Sequence, residues 1–141
     1  MDIGLLGIAA AQSLSAVGSA LGAGAAGMAA VGAWKKCFAQ NKPAPFMLIA
    51  FVGAPLTQTI YGMILMNAIN SSAAASLTRL GVGLFGGIAI GFSAWFQGKA
   101  GAVASDALAE TGKGFGNYIM VLGLIETVAL FVMVFLLGVL G

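Results

Sequence analysis

The sequence predicts an all-α membrane protein in which four transmembrane helices form two tandem helical hairpins and assemble into a two-layer ring. Three observations carry this prediction. The chain of 141 residues is 60% hydrophobic and only 7% charged, a surface that no soluble domain of this size could keep in water. Its apolar residues fall into four runs, each reaching or exceeding the ~20 residues that a helix needs to cross a bilayer. Most of its 22 glycines lie in the first and third runs, where small residues let helix backbones approach closely in lipid.

The first run, about 3–33, lacks a basic start and is too long for a signal-peptide core, so it is expected as a mature helix. Its glycines include Gly18 and Gly22, four apart. Lys35, Lys36, Cys37 and Lys42 are expected in the loop that follows, with Pro43 and Pro45 opening the second run, about 46–68. A Ser- and Asn-rich stretch at 67–76 separates the hairpins, 1–70 and 71–141. The third run, about 77–104, carries Gly83, Gly87 and Gly91. Thr111-Gly-Lys-Gly-Phe-Gly116 breaks it, and the fourth run, about 118–140, closes the chain. Phe46, Met47, Met63, Met66, Phe131, Met133 and Phe135 give the second and fourth runs the bulk of a lipid-facing outer layer. A stand-alone four-helix bundle is the plainer arrangement compatible with the same pattern.

Charge placement orients these helices. Lys35, Lys36 and Lys42 fall in the first connection, Lys99 and Lys113 flank the third, and the second offers only Arg79. The positive-inside rule then puts both hairpin loops in the cytoplasm and the termini outside a multi-pass cell-membrane protein. Six basic and four acidic groups are too few and too scattered for nucleic acid. With no His and one Cys, neither a His/Cys metal site nor an internal disulfide is possible. Gly22-Ala-Gly-Ala-Ala-Gly27 and Gly81-Val-Gly-Leu-Phe-Gly86 spell a dinucleotide fingerprint twice, but neither follows a strand, so the motif has no meaning here. No covalent cofactor is expected.

The halves resemble each other. Gly18, Gly22 and Gly32 align with Gly87, Gly91 and Gly101, and Leu56, Gln58 and Thr59 align with Leu124, Glu126 and Thr127. One half thus carries a carboxylate where the other carries its neutral isostere, which leaves one ionisable group per four helices.

Glu126 is the costly residue. A charge near the middle of a membrane helix costs about 2.5–3.5 kcal/mol on insertion scales, so it is either a structural, protonated side chain or a carrier of ions or protons. Counting from the cytoplasmic turns, Gln97 lies about thirteen residues before one, Glu126 about sixteen after it, and Gln58 about eighteen after the other. At ~1.5 Å per residue Gln97 and Glu126 lie within roughly one helical turn of the same level, and Gln58 falls near it. Tyr61 shares the face of Gln58 three residues on, Thr57 is adjacent, and Pro55 lacks an N–H, which frees the Phe51 carbonyl. Na⁺ without its water needs about five or six hard oxygens. Glu126, Gln58, Gln97, Thr57 and a helix carbonyl near Ala54 would supply them together with one compensating charge, while Tyr61 could donate to the carboxylate. A proton would need the carboxylate alone.

Taken together, the glycine-rich odd helices, Pro55-Leu-Thr-Gln58, Trp95-Phe-Gln97-Gly-Lys and Leu124-Ile-Glu126-Thr closely resemble the proteolipid (K, or c) subunit of V-type ATPases, particularly the bacterial Na⁺-transporting type. The likeness extends over nearly the whole chain. It implies a homo-oligomeric rotor ring in the lipid bilayer with glycine-rich helices inside, Glu126 as the ion-carrying carboxylate, Gln58, Thr57, Gln97 and the Ala54 carbonyl as Na⁺ ligands, and Tyr61 as the gating donor. It also implies a membrane stator with a basic residue and a central stalk docked on the cytoplasmic loops, where Lys35, Lys36, Asn41, Asp106 and Glu110 are the candidates. The chain has no P-loop and is expected to transport without hydrolysing ATP itself. The alternatives are an H⁺-carrying ring subunit, a small four-helix proton-coupled antiporter, and a structural membrane-packing protein.

Overall fold

A computed structural model describes residues 2–141 and contains, among them, helices and their connections alone. The helices are α1 (Gly4–Ala39), α2 (Leu48–Gly53), α3 (Thr57–Ser71), α4 (Ser76–Thr111) and α5 (Phe115–Leu140), with a 3₁₀ turn at Ala54–Leu56 joining α2 to α3. The segments Gly4–Ala39, Leu48–Ser71, Ser76–Thr111 and Phe115–Leu140 are each long and apolar enough to cross a membrane.

Three expectations are corrected. α1 and α4 run well past the predicted ends of the first and third runs, because Lys35, Lys36 and Asp106 are as compatible with a helix as with a loop. Cys37 therefore lies inside α1 rather than in a loop, 2% exposed, with its Sγ 3.9 Å from the Ala109 carbonyl. The division between bulky outer and small inner helices is also incomplete. Met133 is buried and Met66 half-buried, while Phe85, Phe92 and Phe96 of α4 are exposed.

Three of the helices, α1, α2 and α4, end for a local reason. Asn41, at φ 51°, takes the left-handed conformation that an Asn tolerates, and Lys42 N–H then reaches back to the Cys37 carbonyl at 2.9 Å. Gly112 (φ 65°) and Gly114 (φ 90°) turn α4 into α5, a conformation a side chain would strain. Pro55 cannot donate to an α-ladder, and the chain tightens there into its 3₁₀ turn. A Cβ on Gly101 would come 3.0 Å from the Phe51 carbonyl, the group that Pro55 leaves without an N–H, so α4 closes tightly over the break.

Packing follows the glycines. A Cβ on Gly18 would fall 2.0 Å from the Gly91 carbonyl oxygen, one on Gly98 2.0 Å from that of Gly22, and one on Gly83 2.0 Å from that of Gly7. These three points bring α1 and α4 into backbone contact from Gly7 to Gly22 on one helix and from Gly83 to Gly98 on the other. Against this pair, α3 packs where Gly62 meets Ser15, and α5 packs where Leu136 meets Gly86. Leu65, Ile69, Ile90, Ala129 and Met133 fill one end of the interior, and Leu48, Phe51, Leu108 and Leu122 fill the other.

Polar ties fasten the ends of the bundle. Ser72 Oγ donates to the Leu140 carbonyl at 2.8 Å, and Trp34 Nε1 donates to the Pro45 carbonyl at 2.8 Å. Asp2 accepts from Ser76 Oγ at 2.6 Å and pairs with Arg79, joining the start of α1 to the start of α4.

Candidate functional site

Between the two apolar clusters lies a polar layer, and it contains the six residues that the sequence expects at the ion site. The break at Pro55 places it: α3 restarts at Thr57, so Thr57, Gln58 and Tyr61 occupy its first turns. Gln97 reaches in from α4 and Glu126 from α5.

The side chains form one continuous hydrogen-bonded chain. Tyr61 O–H donates to Glu126 Oε1 at 2.8 Å. Gln97 Nε2 donates to Glu126 Oε2 at 3.1 Å and to the Leu122 carbonyl at 3.0 Å. Gln58 Nε2 donates to Gln97 Oε1 at 2.8 Å. The Thr57 hydroxyl lies 3.1 Å from both the Ala54 carbonyl and Gln58 Oε1, which share its one proton. Gln58 and Gln97 are fully buried, as a polar layer in lipid requires, since an unpaired amide there has no water to turn to.

All six expected residues thus meet on three helices and the turn between α2 and α3. The depth argument is met directly, because Gln58 touches Gln97 and Gln97 touches Glu126. Glu126 itself is half-buried, its carboxylate bonded to Tyr61 of α3 and Gln97 of α4, while Leu124, Val128 and Phe131 of α5 are exposed.

The donor set suits a monovalent hard cation. Glu126, Gln97, Gln58, Thr57 and the Ala54 carbonyl each carry an oxygen within this chain of contacts, and hard oxygens are what such a cation takes in place of water. A single carboxylate balances a single charge. Among the described residues no cluster of three or more His, Cys, Asp or Glu could hold a multivalent metal. As cation ligands, Gln97 and Gln58 would present Oε1; in the structure each of these oxygens accepts one hydrogen bond, from Gln58 and Thr57 respectively, and keeps a second lone pair.

Sequence reasoning missed Ser93, which is buried and donates from Oγ to the Ile125 carbonyl at 2.8 Å. It lies one helical turn before Gln97 on the same face of α4, a spacing that could have revealed it. Of the loop residues predicted to dock a partner, Lys36 and Glu110 face each other at 3.6 Å in an exposed ion pair, whereas Lys35, Asn41 and Asp106 are exposed.

Two apolar surface grooves flank the helices. One is lined by Leu14, Gly18, Gly91 and Trp95, the other by Val103, Tyr118 and Leu122. None of the six site residues lines either groove.

Comparison with known families matches residues 80–138 to the model of the ATP synthase C subunit. The match takes in most of α4 and α5, with Ser93, Gln97 and Glu126 inside it, and covers less than half of the chain. No curated protein matches the chain.

Proposed function

We propose that this chain is a rotor-ring proteolipid subunit of a rotary ATPase that carries Na⁺ across the membrane at Glu126. The similarity of the second hairpin to the ATP synthase C subunit supports the rotor part. The observation that carries the ion is the oxygen-rich chain running from Ala54 and Thr57 through Gln58 and Gln97 to Glu126. A proton carrier needs none of the four neutral members. Each is an added polar cost in lipid unless it serves a ligand or a partner.

In this reading Gln58, Gln97, Thr57 and the Ala54 carbonyl replace the hydration shell of Na⁺, and Glu126 neutralises its charge. Tyr61 holds the carboxylate turned inward while the loaded protomer passes through lipid. Facing a stator subunit with a basic residue, Glu126 exchanges Tyr61 and the ion for the stator's positive charge, and the ion leaves. It reloads from the other side of the membrane. Copies of the same chain form the ring, α1 and α4 make its inner layer, and α3 and α5 make its outer layer. The two hairpins act as tandem units of which only 71–141 carries the charge. The hairpin loops face the cytoplasm, where Lys35, Asn41 and Asp106 meet the central stalk. ATP is hydrolysed elsewhere in the assembly.

The test is carbodiimide labelling of Glu126 in the membrane. Na⁺ is expected to slow labelling at a pH where K⁺ does not. Labelling indifferent to Na⁺ removes the sodium assignment and leaves an H⁺-carrying ring, a reading favoured by one observation: Gln58 and Gln97 satisfy each other without a cation. The antiporter reading requires a polar substrate cavity at Glu126, and the two flanking grooves are apolar and bypass it.

A further inference from the structure

Ser93 lies outside the proposed ligand set, yet it is buried in the polar layer. Its hydroxyl donates to the carbonyl of Ile125, the residue next to Glu126, at 2.8 Å. One turn further along α4, Gln97 Nε2 donates to the Leu122 carbonyl at 3.0 Å. Leu122 and Ile125 are three apart and share a face of α5. Their carbonyls have spare lone pairs beyond the helical ladder, so each can accept a second donor. α4 therefore holds α5 by its backbone at two points, one a full turn before Glu126 and one immediately before it. A rotation of α5 that swings Glu126 away from Gln97 and Tyr61 breaks both, and lipid offers no donor in exchange.

The two holds respond differently to an ion. Gln97 Nε2 spends both of its N–H groups, one on Leu122 and one on Glu126 Oε2. If Gln97 turns its Oε1 to a cation beside Glu126, the N–H on Leu122 moves with the amide. The bond from Ser93 does not involve the carboxylate or either amide and survives that change. We infer that Ser93 is a positioning residue: it fixes the rotational register of α5, and so keeps Glu126 presented to the ion site while Gln97 is engaged in ligation. This rests on the ion-carrier reading above.

The experiment follows carbodiimide labelling of Glu126 in assembled rings of the wild type, Ser93→Ala and Ser93→Thr, reading both the rate without Na⁺ and the Na⁺ concentration that halves it. Ser93→Ala is expected to raise the rate several-fold and the half-protecting Na⁺ concentration about five-fold, the order of one net hydrogen bond. Ser93→Thr, which keeps the hydroxyl, restores both. A purely structural role would alter the thermal stability of the ring without moving the Na⁺ concentration. Labelling of assembled Ser93→Ala that is the same as wild type, or Ser93→Thr rings that behave as Ser93→Ala, overturns the inference. If the wild type ignores Na⁺, the ion assignment fails separately and the rate without Na⁺ still decides the role of Ser93. Should Ser93→Ala not assemble, Ser93→Cys, similar in volume and a weaker donor, gives the same two readings.

Discussion

At the level of single residues, the polar layer is a chain in which each member satisfies the next, so removing a middle member costs more than removing an end. Gln58→Leu deprives Gln97 Oε1 of its donor and Gln58's partner Thr57 of an acceptor. A buried polar group left without a partner costs about 1–3 kcal/mol. The variant is expected to melt at lower temperature in detergent and to lose Na⁺ protection of Glu126, as labelling against Na⁺ concentration will show. Tyr61→Phe removes only the terminal donor, at 2.8 Å from Glu126 Oε1, and leaves the buried amides paired. A hydrogen bond to a charged group contributes about 1.5–3 kcal/mol, and the partial exposure of Tyr61 puts this one at the lower end. The expected outcome is a roughly ten-fold rise in half-protecting Na⁺ together with a lower melting temperature, since the same bond ties α3 to α5.

At the level of elements, the contact between α1 and α4 depends on particular glycines, not on glycine content. A Cβ on Gly98 would fall 2.0 Å from the Gly22 carbonyl oxygen, backbone that cannot turn aside. Gly98→Ala therefore has to push the helices apart, and overpacking of this kind costs about 1–3 kcal/mol or more. Gly24 in α1 has nothing within 4 Å of an added Cβ, so Gly24→Ala is expected to leave the single chain as stable as before. Melting the two variants as single chains in detergent compares them directly. The same contrast shows why the glycine repeats could be read as close packing while their partners could not. The spacing of Gly18 and Gly22 marks a small-residue face, but only the crossing of the helices pairs Gly18 with Gly91 and Gly22 with Gly98.

At the level of the whole molecule, the two ends of the chain and the linker between the halves are tied at one end of the bundle. The tie at the start of α1 is titratable. Ser76 and Arg79 donate to Asp2, and the Gly4 N–H donates at 2.9 Å. The Ser76 hydrogen bond first, then Arg79 and Gly4, hold the Asp2 carboxyl below its usual 3.8. A folded-state value below the unfolded one means that this contribution is complete above the unfolded pKa and is lost as pH falls through the lower, folded one. Wild type is expected to melt above Asp2→Asn at neutral pH, and the gap should close only once the pH drops below 3.8. Intact protein in mild detergent is expected to run at a mass many times the 14.0 kDa of the single chain; a monomer would count against the ring.

Much of this was legible in the sequence, because lipid leaves few choices. A chain this apolar and this poor in charge must span a membrane, its backbone must be helical to satisfy itself there, and Glu126 had to be exceptional because nothing else in its run carries a charge at neutral pH. The shared depth of Gln58, Gln97 and Glu126 followed from counting residues along helices of fixed rise. Counting does not give azimuth. Which way each amide turns, that Gln97 spends its nitrogen on Leu122 as well as Glu126, and that Ser93 holds the backbone beside Glu126 depend on how α4 and α5 are rotated against each other. That rotation is settled by side chains packing across the interface, not by any pattern within one helix.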